Sequence, residues 1–244
     1  MPDSNPLRSP GDGGVGYCYD SDRDLFRGSG ALSDGPMLLG LDSNIIFDLE
    51  DYGLLLIDGE DPDGVDCETQ IELDGLRDLL ELWFMRDIRF VVLPPTRTDF
   101  KREPPEARML EREKLFGRIE EALIFQLQDW GADHARFAWT RPPHAQAADV
   151  IAQVPSELDR AMVHSAWSGG IDVFVTRDRQ LLDTLAETPV GFPNVWSPST
   201  LTQRLGQLPG YLFPGTLDHD GCIWSGGMPF GDTGKWSTLI EAFS

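Results

Sequence analysis

Apolar residues fall along this chain in two textures, short unbroken runs and longer stretches repeating every three or four positions. "PMLLGLD" at 36–42 is a run of the first kind and reads as a buried strand, with "SNIIFDLEDY" after it as a first helix. "LDGLRDLLELWFMR" puts Leu76, Leu79, Leu80, Trp83 and Phe84 at helical spacing, with Asp74 near its start, and "IRFVVLPP" is a second strand. Between the two helices, Gly53 to Leu73 reads as an acidic, glycine-containing excursion without an assigned role. Leu110, Leu115, Ile119, Leu123 and Leu127 predict a long helix from Pro105 towards Trp130. Residues 131–155 look irregular, apart from a short helix over Gln146 to Gln153. "SELDRAMVHSAW" is the next helix, ended by Gly169-Gly170, and the strand "DVFV" follows at once. "RQLLDTL" then turns helical, and "NVWSPSTLTQRL" supplies one more strand and helix.

Strands alternating with helices imply an α/β fold, a parallel βαβ sheet of four to five strands flanked by helices. The alternation occupies residues 37–206. Residues 1–36, rich in Gly, Asp, Ser and Pro, read as a flexible acidic tail. "GSGALSDG" within it is linker and not a phosphate loop, since no strand precedes it and no GK[ST] follows. Residues 207–244 form an irregular appendage of Gly, Pro and isolated aromatics, among them Trp224, Phe230 and Trp236.

Composition narrows the picture. A hydrophobic fraction of 41% over 244 residues is enough for a substantial core. Cys18, Cys67 and Cys222 are too few and too scattered for a disulfide framework or a CxxC zinc site, which suits a reducing cytoplasm. No run is long enough to span a bilayer, and "MPDSNPLRSPGDGG" lacks the basic and apolar regions of a signal peptide. The expectation is a cytoplasmic protein with no membrane partner. The net charge of −21 argues against broad, non-specific nucleic-acid binding. That excess is regional, concentrated between Asp42 and Asp87, while 89–118 carries a cluster of Lys and Arg.

Four acids sit where strands end or where a helix leads into one. Asp42 follows the first strand, Asp99 the second and Asp178 the third, while Asp159 opens the helix before the third. In a parallel sheet the carboxyl ends share one edge, so these acids would meet there. Each also has a structural explanation. Asp42 and Asp178 suit helix N-caps, Asp99 suits an exposed loop, and Ser156 with Asp159 has capping-box spacing. Capping does not, however, require acids at every successive strand end.

Three segments in order, "LLGLDSNIIFDL", "VLPPTRTDFKRE" and "DRAMVHSAWSGGIDVFVTRD", resemble the PIN-domain ribonucleases over roughly Pro36 to Gly206. The resemblance implies metal-binding, catalytic acids at Asp42, Asp99, Asp159 and Asp178, holding Mg2+ or Mn2+ for cleavage of RNA. Asn44 and Thr176 look like the polar residues that accompany the first and last acids, and Asp183 is a supplementary acid or a solvated helix charge. The second acid is commonly Glu in that family, so Glu103 competes with Asp99 here. Asp99 lies nearer the strand end, and Pro104 and Pro105 would break a helix just after Glu103.

Crowded carboxylates repel each other unless a cation sits among them, and hard divalent ions take oxygen ligands. A bound ion would acidify water for attack on phosphorus and offset charge on the leaving oxygen. Lys101, Arg102, Arg177 and Arg179 flank the acids as candidate grips on the RNA backbone. His134, His144, His164 and His219 have no metal-ligand spacing, and no Gly-x-Ser-x-Gly motif offers acyl chemistry. The expectation is a metal-dependent endoribonuclease, toxin-like or RNA-processing, with a protein inhibitor or a second copy of the chain as further partners. The alternative is a catalytically silent scaffold of the same fold that acts as a protein-binding module.

Overall fold

The structure is a computed structural model and describes residues 37–85, 88–96, 109–110, 112–118, 139–189 and 191–206. The tail at 1–36 and the appendage at 207–244 lie outside them, as do Asp99, Lys101, Arg102 and Glu103.

Strand β1 (Met37–Leu41) is central, with β2 (Ile88–Val92) on one side and β3 (Val173–Val175) on the other. Strand β4 (Asn194–Trp196) pairs with β3, so the order is β2-β1-β3-β4 and every pairing is parallel. The unbroken apolar runs are explained by burial on both faces. Leu39, Leu41, Phe90, Val92, Val173 and Val175 pack into one cluster, and Leu38, Val91, Phe174 and Val195 into a second. Helices α1 (Ser43–Asp58), α2 (Cys67–Met85) and α6 (Pro198–Gly206) cover the first face, together with helical residues 112–118. Helices α3 (Ala145–Ala152), α4 (Glu157–Ser168) and α5 (Arg179–Thr184) cover the second.

One expectation is corrected here. The acidic excursion from Gly53 to Leu73 is mostly helix. Gly53 is buried inside α1, and "LLLI" carries the helix on to Asp58. Gly59 ends it in a left-handed conformation (φ 73°) that suits glycine, its N–H directed at Leu55 O and Leu56 O. Helix α2 then begins at Cys67, so Asp74 lies in its second turn; Asp66 caps it, Oδ1 accepting from Thr69 N at 2.8 Å. Only residues 59–66 connect the two helices, and Arg77 pins them by donating to Glu60 O and Asp61 Oδ1. Of the helix expected over 105–130, the described residues 109–110 and 112–118 are helical. Leu115 and Phe116 are buried on its described part, but Leu110 is 57% exposed and off the core face.

The connections leave the neighbouring strands β1 and β3 towards opposite faces, through α1 and α2 after β1 and through α5 after β3. In parallel sheets such a switch point is where the crevice lies, at the carboxyl ends of these two strands.

Candidate functional site

Both strands end in buried polar residues, Asp42 after β1 and Thr176 after β3. Asp42 leaves β1 in extended conformation and its N–H donates to Val175 O at 3.0 Å, so the end of β1 is tied to the end of β3. Thr176, fully buried, stands directly across from it. Its hydroxyl donates to Asp42 Oδ2 at 2.5 Å. The same hydroxyl oxygen accepts from Asn44 Nδ2 at 3.1 Å and from Asp178 N at 2.9 Å. Those two partners are donors only, which leaves Asp42 as the sole acceptor among the three for the hydroxyl proton.

Asp42 occupies the N-cap position of α1, yet Oδ1 reaches only the Ser43 N–H, at 2.7 Å, and not the N–H groups one and two residues further on. Oδ2 turns across the crevice instead, accepting from Thr176 and from Asn44 Nδ2 at 2.7 Å. Three donors and no acceptors face this carboxylate in these bonds, which favours its charged form. Burial opposes that and wins. The Asp42 carboxyl is pushed up to about 6, foremost by desolvation; the Thr176 and Ser43 hydrogen bonds pull it down, and the charges of Asp159 and Asp178 push it further up. Those two acids therefore lie within electrostatic reach of Asp42.

Asp159 arrives there because α4 runs antiparallel to the strand it feeds, which puts its first turn at the carboxyl edge of the sheet. Its N–H donates to Ser156 Oγ at 3.4 Å, one arm of the expected capping box. Asp178 is a helix cap in full, Oδ1 accepting from Gln180 N at 2.8 Å and Leu181 N at 3.2 Å. Asp183 is exposed on α5. Of the four expected acids, three thus share one edge, and Asp99 lies outside the described residues. Among those residues, no three His, Cys, Asp or Glu side chains form a group able to hold a metal ion. The donor chemistry itself fits a hard divalent cation. It consists of carboxylate oxygens, one of them buried against the charge of two others, and a cation between them would relieve that repulsion.

The two arginines behave differently from free cationic grips. Arg177 turns inward, Nη2 donating to Asp48 Oδ1 at 2.6 Å, with side chains 27% and 4% exposed. Arg179 is exposed and pairs with Glu68 of α2. Asp48 escaped the sequence reading. An acid inside the apolar stretch "NIIFDL", four residues after Asn44, was its available signal. Glu72, which accepts from Ser199 N at 3.0 Å and Ser199 Oγ at 2.8 Å, was also missed. His164 lies in the second layer, donating Nε2–H to Arg141 O at 3.0 Å, and His144 caps α3 through Nδ1. Among the described residues no helix is long and apolar enough to cross a membrane. Compared with protein-family models, curated proteins and solved structures, the chain matches none of them.

Proposed function

We propose that the chain is a metal-dependent endoribonuclease of the PIN type. Asp42, Asp159 and Asp178, which form no ready-made metal-holding group by themselves, would hold Mg2+ or Mn2+ together with Asp99 from outside the described residues. The observation that supports this reading is Asp42, a carboxylate buried at a switch point of a parallel sheet and raised to about 6 with two further acids acting on it. The ion, when bound, supplies an acidified water and offsets charge on the leaving oxygen. The chain's own residues do the preparatory work. Thr176, Asn44 and the Ser43 N–H hold Asp42 in one rotamer with Oδ2 across the crevice. The α5 N–H groups fix one oxygen of Asp178.

Asp42→Asn tests it. In EDTA the variant should fold, because a repelled charge is gone, although its NH2 must face one of the donors that held the carboxylate. Manganese should stabilise the parent by RT ln(1 + [L]/Kd), about 2.7 kcal/mol at a hundredfold excess, and the variant far less. Manganese-dependent cleavage of single-stranded RNA should vanish with the substitution. If manganese moves neither melt and the parent cuts nothing, the enzyme reading is lost. The scaffold reading would then stand, and one observation already favours it: Asp178 has a complete capping role that needs no metal.

A further inference from the structure

Arg177 binds α1 twice, at points one helical turn apart. Its backbone N–H donates to Asn44 Oδ1 at 3.1 Å, and its guanidinium to Asp48 Oδ1 at 2.6 Å. Asn44 and Asp48 are four residues apart, the spacing that puts two side chains on one helix face. The first contact fixes the polarity of the Asn44 amide. With its oxygen held by the Arg177 N–H, its NH2 is left to face Asp42 Oδ2 and Thr176 Oγ1, which lie on the same side of it. Turned over, the amide would set N–H against N–H at Arg177 and oxygen against carboxylate at Asp42.

We propose that the Asp48–Arg177 pair is a positioning device, which clamps the β3–α5 connection to α1 so that the Asn44 amide keeps this orientation toward Asp42. Stability alone is a poor reason for the pair. It is made by a single hydrogen bond, and among the described residues neither Asp48 Oδ2 nor Arg177 Nε has a hydrogen-bond partner. A buried ion pair of that quality is commonly matched or bettered by apolar side chains of similar volume. What apolar side chains cannot supply is direction. Arg177 thereby moves from a candidate grip on substrate to a residue that acts through Asn44.

The test separates direction from stability. Arg177→Met alone strands a buried carboxylate, so the informative variant is D48L/R177M, which removes both charges and should melt close to the parent. Exchange of the Asn44 side-chain NH2 protons, read by nitrogen-15 NMR, reports the clamp directly and needs no RNA. It should quicken about tenfold or more in D48L/R177M and stay near the parent rate in D48N, which keeps an oxygen for Arg177 Nη2. The link to catalysis rests on the nuclease reading, under which kcat should fall about tenfold with KM little changed. A folded D48L/R177M chain whose Asn44 protons exchange as slowly as the parent's overturns the proposal. Faster exchange in a chain that never cut RNA would uphold the clamp and sink only the nuclease. Should D48L/R177M not fold, D48N/R177M, which also buries no charge, takes its place with the same expectations.

Discussion

Thr176 carries more of the crevice than its size suggests. One hydroxyl donates to Asp42 and receives both the Asn44 amide and the Asp178 N–H, so two strand ends and a helix start meet on a single oxygen. Thr176→Val keeps the shape and removes that oxygen. Asp178 N would lose its acceptor, Asn44 Nδ2 would keep only Asp42, and Asp42 would lose a donor to its charged form. The expected cost is about 2 kcal/mol in denaturant unfolding, with the Asp42 carboxyl driven higher still. Thr176→Ser retains the hydroxyl and should recover most of that loss. Equal stabilities for the Val and Ser variants would mean that the hydrogen bonds contribute nothing measurable.

Between elements, α2 and α6 approach each other very closely. A Cβ on Gly75 would stand 2.4 Å from Ser199 N, so backbone meets backbone there. Glu72, one turn earlier on α2, accepts the Ser199 N–H and hydroxyl and so caps a helix other than its own. Gly75→Ala, favourable by helix propensity, should therefore destabilise by several kcal/mol, because neither backbone can yield. A melting temperature that rises in this variant would show that α6 is free to shift. At this scale much was legible in the sequence. Runs buried on both faces announce parallel strands, and all four strands fall where the apolar blocks stand. The continuation of α1 was not legible, since Gly53 and its acidic neighbours imitate a loop until the core shows that glycine buried inside a helix. The candidate site was half legible. Asp42 could be placed at a strand end, but cap and site look alike until Thr176 is seen across from it. Asp48 and Arg177, 129 positions apart, leave no local trace of their pairing.

Across the whole molecule, buried acids set the response to pH. Asp42 and Asp48 both rise from 3.8 to about 6, chiefly by desolvation, the latter despite Arg177 beside it. Between those values the folded chain holds protons that the unfolded chain has released, so stability falls as pH rises through this window. Each group contributes on the order of 3 kcal/mol of penalty once ionised. Asp66, exposed and lowered by its Thr69 hydrogen bonds, acts in the opposite sense. Without metal, the chain should thus melt higher near pH 5 than near neutrality, and Asp42→Asn should about halve the difference, the share of Asp48 remaining. A parent melt that climbs from pH 5 to neutrality would contradict the assignment. The pairing of β1 with β3 also has a consequence for biosynthesis. Asp42 and Thr176 are 134 positions apart. On the ribosome, β1, α1, α2 and β2 are all made long before Thr176 exists, and until it arrives Asp42 is an ordinary hydrated carboxylate. This long-range closure is the slow kind, so the crevice is completed late in synthesis and a prematurely terminated chain never possesses it.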